Sequence, residues 1–175
     1  MKRKTSDIDS SHLFLDFIRS YGFDPNNYEN ILELYQGAKT SISQYLKDYR
    51  QFLLSERVKR KELEKIGIKG ACGYLDTGIV TLNNKENEGI IVPSIDDFDV
   101  IISNGILPSM KCMQMLNQDK YIGLCIDTDS EKAERKITEF YALREKLKQY
   151  GKYQVYFEHD PLYDGKEMYM IKLKK

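Results

Sequence analysis

Apolar residues in the first 70 positions recur at the three- and four-residue spacing of amphipathic helices. A first predicted helix ends at Gly22, and its apolar face is formed by Leu13, Phe14, Phe17, Ile18 and Tyr21. A second begins at Asp24 and Pro25 and ends at Gly37, and a third begins at Thr40 or Ser41. We therefore predict a helical subdomain over residues 1–70 and an α+β subdomain over residues 71–175.

The hydrophobic period changes after residue 70. Two apolar runs, at 73–82 and 89–94, flank the polar segment 83–88, and this order predicts a β-hairpin. Ser94 and Asp97 resemble a capping pair for a short helix over 95–103.

The last third predicts a strand over 120–129, an amphipathic helix over 130–151, a second strand over 152–160 and a third over 166–175. A strand, a crossover helix and another strand form a βαβ unit, to which the final hairpin adds an antiparallel strand. The predicted fold class is α+β: a helical N-terminal third, a β-hairpin, and a mixed sheet whose βαβ unit resembles half of a ferredoxin-like fold.

The net charge of the 175-residue chain is zero, with 27 basic and 27 acidic side chains. This balance excludes a protein that is basic all over, as a nucleic-acid coat is, and an acidic mimic of DNA. The balance is not local, because residues 1–70 and 130–175 each carry +3 while residues 71–129 carry −6. Two basic ends permit a local phosphate-binding face.

Cysteine usage and hydropathy predict a cytoplasmic, intracellular protein. Cys72, Cys112 and Cys125 are odd in number and lack CxxC spacing, which is typical of reduced thiols. We predict no transmembrane helix, because no apolar run reaches ~18 residues. Low alanine and an excess of lysine over arginine suggest an A/T-rich coding sequence, from a low-GC bacterium, its phage or plasmid, or an A/T-rich virus.

Residues 30–51 have the order of a helix-turn-helix, with a glycine at the turn and small polar residues at the start of the second helix. The hairpin downstream would then be the wing of a winged helix. Lys47 and Arg50 are the predicted phosphate contacts, and the predicted base contacts are Lys39, Thr40, Ser41, Ser43 and Gln44. The alternative is a helical hairpin with a solvated polar face.

A metal site is the second hypothesis. Asp127 and Asp129 end an apolar run, and His159 ends the next predicted strand. If the two strands are parallel neighbours, these side chains could hold Mg²⁺ or Mn²⁺. The alternative is that the aspartates cap the following helix and that the histidine lies in a turn.

The function that we predict from these signals is that of a small non-enzymatic regulatory protein, which contacts DNA or a protein partner or associates with itself. We predict no membrane partner and no cofactor other than Mg²⁺ or Mn²⁺. One alternative is a metal-dependent enzyme on nucleotides or nucleic acid that uses Asp127, Asp129 and His159. Another is an inhibitor or adaptor whose acidic middle, with Asp96, Asp97 and Asp99, docks on a basic partner.

Overall fold

The strands that the structure describes join in one eight-stranded sheet. This computed structural model of the chain describes residues 14–20, 30–38, 41–46, 50–76, 79–82, 94–106, 121–127, 133–150, 153–159 and 166–173. The strands are β1 (Ile31–Tyr35), β2 (Gln51–Ser55), β3 (Gly70–Asp76), β4 (Ile79–Leu82), β5 (Val100–Asn104), β6 (Tyr121–Asp127), β7 (Tyr153–His159) and β8 (Lys166–Leu173). The helices are α1 (14–20), α2 (Arg60–Lys65) and α3 (Ala133–Tyr150), with 3-10 turns at Ile42–Tyr45 and Ile95–Asp97.

The order of strands across the sheet is β4-β3-β2-β1-β5-β6-β8-β7. The five strands from β3 to β6 in this order are parallel, whereas β4 and β8 are antiparallel to their neighbours. From β1 the chain adds β2 and β3 on one side and then returns to add β5 and β6 on the other. The order of strands therefore reverses between β1 and β5, as in a doubly wound α/β sheet.

The central strands are buried on both faces. Residues 31–34 of β1 and 100–103 of β5 are all buried. Helix α1 covers one face with Phe14 and Ile18. The other face packs on the 3-10 turn at Ile95 and on α3. Strands buried on both faces read as continuous hydrophobic runs, so their sequence shows no period of two.

Helix α2 connects β2 to β3 and ends in a Schellman motif. Gly67 has a φ of 75°, and its N–H donates to the Glu64 carbonyl at 3.1 Å. The Ile68 N–H donates to the Leu63 carbonyl at 2.9 Å, and both of these side chains are buried in one cluster. The Ile68–Leu63 bond is the 6→1 bond of this motif and the Gly67–Glu64 bond is its 5→2 bond. Together with the apolar contact they end the helix shortly before β3 begins.

The predicted fold class is wrong. A helix is present at 14–20, but 31–35 and 51–55 are strands where we predicted helices, and 100–104 is a strand where we predicted the end of a short helix. The cause is that a short apolar run buried on both sides has no strand period, so helical spacing can be read into it.

The C-terminal elements form as predicted but assemble differently. Strand β8 lies between β6 and β7 and is antiparallel to both, so β6 and β7 are not neighbours. These strands continue the same sheet as β1 and β2, which excludes a separate ferredoxin-like half. Within the described parts of the chain, no helix is long and apolar enough to cross a membrane.

Candidate functional site

The carboxyl ends of β1, β2 and β5 meet at the point where the strand order reverses. In open α/β sheets, ligands bind in the crevice outside this edge of the sheet. A ligand at this edge would contact the segments that follow these strands, which are 36–46, 56–59 and 105–106. Of these segments, residues 39 and 40 lie outside the described part of the chain.

A buried carboxylate organises the segment after β1. Glu33 is 1% exposed, and its oxygens accept hydrogen bonds from the backbone N–H of Ile42 at 2.9 Å and of Ser43 at 2.8 Å. The Ser43 hydroxyl donates to Oε1 at 2.8 Å, and the Asn104 amide donates to Oε2 at 3.4 Å. Glu33 therefore joins β1 to the first 3-10 turn and to the end of β5.

Two effects act in opposite directions on the ionisation of Glu33. Burial raises the pKa of its carboxyl, and the donors from Ser43, Ile42 and Asn104 act against that rise. All four contacts use the carboxyl oxygens as acceptors, which is the arrangement suited to the ionised form. The carboxyl group thus anchors the N-terminus of the turn that follows β1.

The pH dependence of stability follows from this raised pKa. The folded protein retains the Glu33 proton at pH values where the unfolded chain has lost it. We compare the free energy of unfolding of wild type with that of Glu33→Gln. The wild-type value minus the variant value should fall as pH rises from about 4.3 to the raised pKa, by about 1.4 kcal/mol per unit of pKa difference. Above the raised pKa the difference should stay constant. Urea denaturation of both proteins across this range measures it, and a difference that does not change with pH would contradict the prediction.

A second buried polar residue joins the ends of β1 and β2. The Ser55 hydroxyl lies 3.0 Å from the carbonyl oxygens of both Gln36 and Gly37. The Val58 N–H donates to the same hydroxyl at 3.1 Å. The Glu56 N–H donates to the Tyr35 carbonyl at 3.0 Å, so the exposed side chain of Glu56 starts from a fixed backbone at the carboxyl edge.

The end of β5 makes the third wall of the site. Gly105 has a φ of 79°, and a Cβ placed on it would meet no atom within 4 Å. Its N–H donates to the Cys125 carbonyl at 2.7 Å, and the Ser103 hydroxyl donates to the Ile106 carbonyl. The turn after Asn104 is therefore held on two sides and leaves open space above Gly105.

The segment after β1 departs from the glycine pattern of dinucleotide-binding folds. In the fingerprint G-x-G-x-x-G, the glycines let the backbone approach a pyrophosphate. Tyr35, Gly37 and Thr40 stand at that spacing here, so only the central glycine is present. In addition, the Ile42 and Ser43 amides donate to Glu33, so two N–H groups of this segment are already used within the protein.

The predicted DNA-contact residues do not lie on a recognition helix. Ser41 and Ser43 are buried, and Ser41 Oγ donates to the Ala38 carbonyl at 2.7 Å. Gln44 lies in the 3-10 turn, where its Nε2 is buried with no hydrogen-bond partner among the described residues. Arg50 lies in the turn before β2, and the other three predicted contacts, Lys39, Thr40 and Lys47, lie outside the described residues.

The predicted metal ligands lie on strands that are not adjacent. Asp127 ends β6 and pairs with Lys166 of β8, and His159 ends β7 and pairs with Glu167. One strand thus separates their backbones, at two inter-strand spacings or about 10 Å. Asp129 lies outside the described residues, and those that are described contain no cluster of three or more metal-ligating side chains.

Sequence reasoning missed Glu33, Ser55, Glu56 and Asn104. Glu33 is the one acid inside the apolar run ILELY. If this run is a buried strand, the pattern predicts a buried carboxyl group, and such groups are almost always paired. Asn104 and Gly105 end the apolar run VIIS in the same way. The signal was lost because both runs were assigned to helices.

Comparison with known proteins identifies the fold. No protein-family model matches the sequence, and no curated protein matches it. The structure is similar to the N-terminal domain of human METTL16 in complex with SAH (11% identity, TM-score 0.56, covering 100% of this chain and 73% of that one). It is also similar to precorrin-6y C5,15-methyltransferase from Geobacter metallireducens GS-15 (13%, 0.55, 95% and 88%). A third similar structure is a Methanococcus maripaludis protein proposed to be an S-adenosyl-L-methionine-dependent methyltransferase (9%, 0.55, 98% and 89%).

These similarities correct the function that we predicted from the sequence. The structures that share the fold include methyltransferases and a domain bound to SAH, which contradicts a non-enzymatic regulatory protein and does not support the adaptor or metal-enzyme alternatives. The helix-turn-helix is also wrong, because its first helix is strand β1. The chain has a Rossmann-like methyltransferase fold.

Proposed function

We propose that this protein is an S-adenosylmethionine-dependent methyltransferase whose cofactor binds at the carboxyl ends of β1, β2 and β5. The observation that carries the proposal is the hydrogen bonding of Glu33. Its carboxyl group takes the backbone donors of Ile42 and Ser43, which follow β1 at this edge of the sheet. Amides satisfied in this way are not available to a pyrophosphate, so the crevice differs from that of a dinucleotide-binding fold.

The residues present fit such a cofactor. Gly37 and the open space above Gly105 leave room for a ligand to approach the backbone on both sides of the crevice. Glu56 follows β2 at 19 positions beyond Gly37, close to the spacing at which an acid binds a nucleoside ribose in this class of fold. Asn104, held through its Nδ2 by Glu33, lies at the same edge.

The chemistry needs little from the protein beyond orientation. When bound, S-adenosylmethionine supplies an electrophilic methyl group on a sulfonium ion. The residues described here bind the cofactor and fix its position relative to the acceptor, a contribution that removes much of the entropic barrier to the reaction.

Isothermal titration calorimetry with S-adenosylhomocysteine tests the proposal directly. We expect one site per chain for S-adenosylhomocysteine and no measurable heat for NAD⁺, because the Glu33 carboxylate already occupies the amides that a pyrophosphate would need. Absence of S-adenosylhomocysteine binding, or tighter binding of NAD⁺, would overturn it.

Glu56 provides a sharper test. We expect Glu56→Gln to weaken S-adenosylhomocysteine binding roughly 10- to 100-fold, which corresponds to the loss of a charged hydrogen bond to the ribose, about 1.5–3 kcal/mol. The matched control is Glu62→Gln, another exposed acid, which lies on α2 outside the segments that follow β1, β2 and β5. Calorimetry on both variants checks the prediction, and equal affinities would show that Glu56 does not contact the ligand.

A further inference from the structure

The exposed side of α2 and its flanks is rich in cations. Residues 56–69 contain six basic and three acidic side chains, a net charge of +3. Five of the basic residues are exposed: Arg57, Lys59, Lys61, Lys65 and Lys69. We call this surface the α2 face. It differs from the predicted helix-turn-helix contacts, which precede β2.

The α2 face begins at the candidate cofactor site. Ser55 ties the backbone of Arg57 and Val58 to the segment after β1, and the Arg57 N–H donates to the Gln36 carbonyl at 3.1 Å. From there α2 runs back toward the amino edge of the sheet, over about 9 Å at 1.5 Å per residue. The face therefore forms a continuous path that leads away from the crevice.

A cleft lies at the far end of this path. It has a volume of about 530 Å³ and lies between α2 and the start of β3. Phe52, Arg60, Glu64 and Lys69 are among the residues that line it, and Arg60 forms an ion pair with Glu64 at 3.3 Å. Phe52 and Lys69 bring an aromatic ring and a cation to the same cleft, a combination that binds single-stranded nucleic acid by stacking on a base and by contact with phosphate.

We propose that the α2 face and this cleft bind the phosphodiester backbone of a single-stranded nucleic acid, which presents one nucleotide to the methyl-transfer site. The inference rests on the proposed function, because it names the substrate class of that site. Lys61 and Lys65 are four residues apart, so their side chains lie on one side of α2 within 5–6 Å at the Cβ atoms, about the spacing of neighbouring phosphates.

Helix α3 carries exposed cations and i,i+4 ion pairs like the Arg60–Glu64 pair of α2. On α3, Arg135 pairs with Glu139 at 3.2 Å, and Lys148 lies 3.9 Å from Glu145. The α3 helix therefore supplies a matched control with exposed cations that we do not assign to the binding path.

The test compares two triple variants by fluorescence anisotropy. One replaces Lys61, Lys65 and Lys69 with alanine on the α2 face, and the other replaces Arg135, Lys146 and Lys148 with alanine on α3. The probes are labelled single-stranded RNA, single-stranded DNA and duplex DNA of mixed sequence, about 12 nucleotides long. Each titration is repeated over a salt series, and S-adenosylhomocysteine binding is measured in parallel.

We expect wild type to bind at least one single-stranded probe more tightly than the duplex. The α2 variant should lose tenfold or more in affinity, and the slope of log K against log salt should fall by about 2, at ~0.7 per phosphate contact. The α3 variant should bind as wild type, and both variants should retain S-adenosylhomocysteine binding. A preference between RNA and DNA identifies the source of the phosphodiester.

Three outcomes overturn the inference: no single-strand binding by wild type, a preference for the duplex, or equal losses in the two variants. None of them affects the proposed function if S-adenosylhomocysteine still binds. Conversely, if wild type does not bind S-adenosylhomocysteine, the proposed function is refuted whatever the nucleic-acid result.

Discussion

Glu33→Gln is expected to lower the free energy of unfolding by roughly 2–4 kcal/mol and to abolish measurable S-adenosylhomocysteine binding. Each carboxyl oxygen of Glu33 accepts from a backbone N–H, at Ile42 and at Ser43. A glutamine has one acceptor oxygen, so its NH₂ group must face one of these donors. A buried N–H then loses its partner, and the turn at 42–45 loses its link to β1.

Urea denaturation measures the first effect and calorimetry the second. The matched control is Glu139→Gln, since Glu139 is exposed on α3 and forms a surface pair with Arg135. Its expected change in stability is within about 0.5 kcal/mol. A Glu33→Gln protein as stable as wild type, with intact ligand binding, would refute the role assigned to this carboxylate.

Gly70→Ala is the substitution with the second large expected effect. Gly70 is paired with Leu53 in the parallel β2–β3 ladder. A Cβ at this position would overlap the Leu53 carbonyl oxygen and stand 3.0 Å from Leu63 Cδ1. The oxygen belongs to the backbone of a central strand, so relief requires that β2 and β3 separate. We expect a loss of roughly 2–4 kcal/mol.

Gly37→Ala is the control for this prediction. A Cβ there would lie 3.5 Å from Tyr35 Cε1, an ordinary van der Waals contact, and the residue is not among those with positive φ. We expect its stability to stay within about 1 kcal/mol of wild type. Thermal or urea unfolding of both variants makes the comparison, and similar losses at the two glycines would contradict the β2–β3 packing described here.

Much of the secondary structure could be predicted from residue patterns. The apolar face of 14–20 and the long helix α3 each carry a clear helical period. The predicted hairpin is wrong, because its first run, 73–82, folds back on itself and pairs 73–76 with 79–82 as β3 and β4. The Ser94 and Asp97 pair also forms, with the Ser94 N–H donating to Asp97 Oδ2 at 2.8 Å, although it caps only a 3-10 turn. Local interactions decide these elements, so local sequence contains them.

The site could not be predicted in the same way. Glu33 and Asn104 are 71 positions apart and become neighbours only because β1 and β5 pair in parallel. The sequence also placed β6 and β7 side by side, since nothing in 153–173 indicates that β8 inserts between them. Such pairings depend on the order of strands in the sheet, which no local pattern encodes.

The sequence by itself therefore determined the helices at 14–20 and 133–150 and the C-terminal strands, because one-sided burial leaves a period that can be read. Only the tertiary structure decided that 31–35 and 100–104 are strands, because burial on both faces removes that period. The tertiary structure also decided where the candidate site lies, because the crevice exists only where strands that are distant in the sequence end side by side.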